Sequence, residues 1–168
     1  MNSGAANPVA MRSGRGRGSR HTGAGFSIVE LLIAMGVFMV VCAMAIPRLQ
    51  DAIQAAKIGR AVADVRTIGQ AALEYYAEYG AAPNTLVDIG YDQQIDPWGN
   101  PYQYLAFTSA TSTAQMRTDR FGVPINTFFD LYSLGPDLQT APPLTASPSQ
   151  DDVIWGNDGV YMGLASNY

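Results

Sequence analysis

The sequence predicts an α+β chain: one long N-terminal helix, its first half built to span a membrane, packs on a small antiparallel sheet with a C-terminal loop region. Three observations carry that prediction. Residues 26–47 hold one charged side chain, Glu30, in an otherwise uncharged apolar run. From Leu49 to Tyr76, apolar residues recur at mostly three- and four-residue steps, the spacing of a single helix face. After Asn84, short aromatic and β-branched runs are divided by Pro, Gly, Asn and Asp, the punctuation of small strands and turns.

The apolar run comes first. From Phe26 to Pro47 a helix rising about 1.5 Å per residue extends about 33 Å, enough to cross a hydrocarbon core of about 30 Å. A carboxylate inside such a span costs roughly 3 kcal/mol on insertion scales, so Glu30 calls for a partner. Arg12, Arg15, Arg17 and Arg20 precede the run and no acidic residue does. That asymmetry places the N-terminus in the cytoplasm and the rest of the chain across the membrane. A secretory signal carries its small-residue cleavage site after the apolar core, whereas here Ala24-Gly25 stands before it. Translation starts at Met1 or at Met11.

Beyond Pro47 the amphipathic pattern extends the helix to about Tyr79, where Gly80 and Pro83 supply a stop. Pro47 removes a backbone donor, which predicts a kink or local melting there. Gly36, Gly59 and Gly69 are weak points or sites of close helix packing. The resulting divisions are a basic leader (1–25), a hydrophobic membrane and assembly helix (26–47), an amphipathic helix (48–80) and a β domain (81–168).

Within the β domain, Tyr102 to Phe107, Thr127 to Ser133 and Val160 to Leu164 read as strands. Asp96-Pro-Trp-Gly-Asn-Pro101 is rich in turn formers, with Trp98 as a large apolar anchor. Asp158-Gly159 and the residues after it offer a strand pairing that closes the domain. Without residues 1–25 the chain has six Lys and Arg against fourteen Asp and Glu, a formal charge of −8. Nucleic acid is thereby disfavoured as a partner, since phosphate contacts need clustered Lys and Arg. The single histidine, His21, lies in the leader, and no hydrolase, P-loop or zinc-protease motif is present, so the chain does not read as an enzyme. Glu74 and Glu78, one helical turn apart, read as a solvated face.

Gly25-Phe-Ser-Ile-Val-Glu30, followed by the apolar stretch and Pro47, resembles the class III signal of type IV pilins and type II secretion pseudopilins. The resemblance implies the type IV pilin fold. It also implies that prepilin peptidase cuts between Gly25 and Phe26 and methylates the new N-terminal Phe26. Glu30 would then pair with the terminal amine of a neighbouring subunit, within an assembly segment that ends at Pro47. Asp96 to Tyr104 and Phe129 to Asp137 are similar to phrases in the globular domain of the major pseudopilin. There the second phrase leads into a calcium loop.

Carried over residue by residue, that likeness implies calcium held by the Leu134 carbonyl and the carboxylates of Asp137 and Asp151, and the Asp152 carboxylate reads as a further ligand. Calcium takes six to eight oxygens, and an irregular loop can supply them. The segment from Leu138 to Gln150, with Pro142, Pro143 and Pro148, departs from the shorter, glycine-rich family loop. With Cys42 as its one cysteine, this chain cannot staple its C-terminal region by an internal disulfide.

The implied function is mechanical: a structural subunit of a helical filament, the major pseudopilin of a type II secretion system. The alternative is a surface type IV pilin or minor pilin for adhesion, motility or DNA uptake. The implied partners are further copies of the chain, prepilin peptidase, the inner-membrane assembly platform with its motor ATPase, and minor pseudopilins. The implied location is the inner membrane, single-pass, with a periplasmic C-terminal domain.

Overall fold

The computed structural model describes residues 25–168. The chain divides into two compact units, one ending at Ala43 and the other comprising Met44–Tyr168. A single helical assignment, α1 (Ile28–Tyr79), covers the predicted helix and continues without interruption at Pro47. Local melting at that proline, expected from its missing donor, does not occur. Gly80 follows the last turn at φ +74° and donates its N–H to the Tyr76 carbonyl (2.8 Å), so the stop has the predicted chemistry.

In the second unit, four short strands form one antiparallel sheet in chain order: β1 (Gln103–Ala106), β2 (Phe129–Ser133), β3 (Val153–Gly156) and β4 (Tyr161–Leu164). Three of them fall inside the predicted segments. The strand absent from the sequence reading is β3, whose four residues are all buried. It lies between β2 and β4 with both faces covered, so it shows no polar alternation to reveal it.

The helix meets the sheet through Ala61, Val65, Ile68 and Ala72, all fully buried at steps of four, three and four residues. Tyr102, Phe129, Leu131, Val153 and Trp155 complete that core. Ile125, Leu144, Ile154 and Ala165 form a smaller core with Tyr132 and Tyr161 packed against it. β3 serves both, sending Val153 and Trp155 to one and Ile154 to the other. Leu49 and Ile53, read as part of the buried stripe, remain exposed because the sheet offers them no surface.

Trp155 fixes the spacing between helix and sheet. A Cβ on Gly69 would lie 2.3 Å from its ring, and a Cβ on Gly159 would lie 2.5 Å from it. Phe129 stacks on the same indole with ring centroids 5.9 Å apart. Gly69 is therefore a packing glycine, while Gly59 has open space around it. Gly69→Ala should destabilise the fold by about 1–3 kcal/mol despite the better helix propensity of alanine. Gly59→Ala should stabilise it by about 1 kcal/mol. Thermal melts of the two variants in detergent, followed by circular dichroism, check the opposite signs.

Candidate functional site

Among the described residues of the first unit, the side chains have no core to pack on. Phe26 is 80% exposed, and of residues 26–43 only Cys42 is even half-buried. The helix starts at Ser27, whose hydroxyl accepts the Val29 N–H (3.3 Å) and whose carbonyl accepts the Leu31 N–H (3.0 Å). Glu30 sits in the first turn, where a negative charge suits the helix dipole. α1 is the one described helix long and apolar enough to cross a membrane. A continuous apolar surface of this extent marks contact with lipid or protein.

The second site is the loop after β2. Gly135 takes φ +65° and passes so close to Asp151 that a Cβ would lie 2.4 Å from the Asp151 carbonyl oxygen. Beyond it the Asp137 N–H donates to the Asp151 carboxylate (3.3 Å), and Asp137 in turn accepts the Gln139 N–H (2.8 Å). Asp137 and Asp151 also line one cavity of about 490 Å³ with Gln54, Ile58 and Trp98. Asp137 and Asp151 are thus brought together, with Gly135 of the same loop against the Asp151 main chain. Among the described residues no group of three or more acidic, His or Cys side chains is gathered closely enough to hold a metal. Main-chain carbonyls would therefore have to complete any coordination.

Asp152, expected among those ligands, is engaged elsewhere. It is fully buried, and one carboxylate oxygen accepts the Arg117 guanidinium (2.5 Å) and the Thr140 hydroxyl (2.6 Å). The same guanidinium nitrogen donates to the Thr140 and Ser149 hydroxyls, and Arg117 lies 4.4 Å from the Tyr132 ring centroid. A carboxylate without solvent needs a charge partner, and Asp152 has taken an internal one. Burial pushes its carboxyl up to about 7; the Thr140 hydrogen bond and the Arg117 charge oppose that rise, and Asp151 and Asp137 add to it. The sequence reading missed Arg117, Thr140 and Ser149. The available signal was that residues 81–168 hold nine Asp and only two basic residues, Arg117 and Arg120.

Asp96 organises the turn ahead of β1. Its carboxylate accepts the N–H groups of Trp98 (3.0 Å) and Asn100 (2.8 Å), and the Ser133 hydroxyl donates to its other oxygen (2.6 Å). The turn is thereby tied to the end of β2, and Trp98 packs at the edge of the main core, the anchoring role its size implied.

Residues 20–46 match the model of the prokaryotic N-terminal methylation motif. The chain is 27% identical over 139 residues to the type II secretion system core protein G of Pseudomonas aeruginosa, covering 70% of this chain and 87% of that protein. The motif and this similarity support a place among the type IV pilin-like proteins, which include the pseudopilins. This pilin-like chain is also 27% identical over 92 residues to a fimbrial protein of Neisseria meningitidis serogroup A, covering 55% of this chain and 54% of that protein. No solved structure matches it.

Arg117→Met should cost about 3–5 kcal/mol by leaving Asp152 buried and unpaired. Since loss of the cation raises the Asp152 pKa further, the carboxyl takes a proton as pH falls, and the deficit should be smaller at pH 5 than at pH 8. Adding Asp152→Leu should recover most of the loss at both pH values. Denaturant unfolding of the single and double variants reads all three effects.

Proposed function

We propose that this chain is a structural subunit of a pilus-like filament, the major pseudopilin of a type II protein secretion system. The observation that carries the reading is the match to core protein G across 87% of that protein's length. The exposed apolar helix supports it, because such a surface needs a membrane before assembly and other subunits afterwards. The fimbrial relative, of which this chain covers 54%, favours a surface pilin as the second reading.

In this proposal the chain enters the inner membrane with its arginine-rich N-terminus inside and its β domain in the periplasm. Prepilin peptidase cuts between Gly25 and Phe26 and methylates the Phe26 amine. Phe26 is accessible for that chemistry, and Gly25 has nothing within 4 Å of where a Cβ would stand. During docking Glu30 pairs with the terminal amine of a neighbour, which offsets the cost of a carboxylate in lipid. The segment ending at Pro47 forms the filament interior, and the motor, assembly platform and minor pseudopilins supply energy and initiation. Contacts between unlike surfaces that do not close into a ring generate the polymer.

Calcium belongs to the same proposal, held by Leu134, Asp137 and Asp151 and supplying a cross-link between the loop after β2 and the segment before β3. Gly135 supports this, since only a residue without a side chain lets the two strands of the loop approach so closely. Asp152 is outside that ligand set.

N-terminal sequencing and intact mass of protein from cells with their peptidase should find methylated Phe26 at position one. A chain that keeps its leader sinks the processed-filament reading. Glu30→Ala should leave membrane insertion intact and abolish ordered filaments, as judged by sedimentation and electron microscopy. Calcium added to chelated protein should raise the melting temperature, and Asp137→Ala should remove most of that shift.

A further inference from the structure

The hairpin between β1 and β2 has an exposed tip at Arg120-Phe121. Thr118 bridges to Pro124, and the Asp119 carboxylate accepts the N–H groups of Phe121 (2.8 Å) and Val123 (2.9 Å), so the tip is held by its own hydrogen bonds. Phe121 is nevertheless 74% exposed, with the Arg120 guanidinium 4.7 Å from its ring centroid. Of the two basic residues in 81–168, Arg117 is buried in its ion pair, so Arg120 is that region's one exposed cation. The tip pairs a positive charge with an aromatic face, and both side chains stay exposed although they border a cavity of about 390 Å³ with Leu144, Thr145 and Tyr168.

A groove with the opposite character lies at the end of α1. Ala71, Glu74, Tyr75, Glu78, Tyr79, Asp88 and Ile89 line a shallow, open depression of about 320 Å³. Tyr75 and Tyr79 stand together with ring centroids 4.4 Å apart, and Tyr79 is 62% exposed. Glu74, Glu78 and Asp88 are exposed, and no cation is within ion-pair distance of them among the described residues. The groove offers aromatic surface ringed by carboxylates, the complement of a guanidinium on a phenyl ring.

The two features are carried on different layers of the domain. The groove is on the helix, whereas the hairpin leads through Ile125 into the smaller core, separate from the core the helix joins. We infer that the Arg120-Phe121 tip of one copy docks in the Glu74-Glu78 groove of a second copy. Two unlike surfaces in a head-to-tail contact propagate rather than close, as the proposed filament requires, and the inference rests on that reading. Among the described residues, the remaining cations suit the groove less well. Arg60 already pairs with Asp64. Arg48, Lys57 and Arg66 sit on a helix with no aromatic residue between Phe38 and Tyr75.

The test uses full-length chain in cells with peptidase and assembly machinery intact. Arg120→Glu and Glu78→Arg should each lower sedimentable filament about tenfold or more, since like charges meet at the contact. Combining them should restore the yield. Both sites are exposed, so unchanged melting curves establish that folding is intact. Wild-type yield from Arg120→Glu, or a double variant no better than the singles, overturns the docking.

A second arm needs no filament. In a Cys42→Ser background, Phe121→Cys with Tyr79→Cys should give a disulfide ladder of multimers in oxidised membranes, and neither cysteine alone should give species beyond dimers. Absence of the ladder overturns the docking on its own. Absence of filaments from unaltered protein, with the ladder present, overturns the filament reading instead.

Discussion

A helix can bury only the residues for which a partner surface exists, and here the domain's own surface reaches no further back along α1 than about Gln54, which accepts the Trp98 indole N–H (3.4 Å). From Ala61 to Ala72 the apolar stripe is fully buried under β2, β3 and Trp155. Before that point Leu49 and Ile53 are bare, and the residues from Phe26 to Ile46 are bare apart from half-buried Cys42. An apolar helix uniform around its circumference belongs in lipid or in a bundle. This one needs both surroundings in turn if a membrane precursor becomes a filament. The small domain is thus a cap whose single large anchor, the indole of Trp155, grips one short stretch of a much longer element.

With no second cysteine to tie down the chain after β2, the fold uses charge in its place. Asp96 joins its own turn to Ser133, and Arg117 joins Thr140, Ser149 and Asp152. Both are buried polar assemblies, costly when half-made and specific when complete. Their positions explain how a segment with three prolines is held: its start is fixed to β2, and its end to the first residue before β3. The Asp137 and Asp151 pair lies on the outer side of the same segment. A cation there would complement the Arg117 cross-link, because the two act on neighbouring residues from opposite sides.

How much of this was legible from sequence depended on the range of the signal. The helix end at Tyr79, the glycine stop and the Asp96 turn are set by neighbours within a few residues, and they read correctly. Pro47 does not melt the helix, because its missing donor is one bond among the many of a long helix, which continues on both sides of it. β3 was hidden by burial on both faces and by its place directly after two aspartates that suggested a loop. Asp152 was misassigned for the related reason that its partner, Arg117, is thirty-five residues away in sequence. Gly69 and Gly59 were indistinguishable until Trp155 was placed against one of them.

Charge is distributed in a way that bears on assembly. Residues 48–66 carry four basic side chains and two acidic ones, whereas residues 67–168 carry eleven acidic and two basic. A filament brings many such subunits together, and a formal −8 on each makes the compact arrangement self-repelling. Apolar contact along the first half of α1 is indifferent to that charge. The domains are not, so neighbours must be set with basic helix segments or isolated cations against acidic surfaces. Screening falls off over about 8 Å at physiological ionic strength, which confines this matching to groups in near contact. The helix core can therefore supply cohesion without register, while the few positive groups among the domain's carboxylates decide which face of one subunit meets which face of the next.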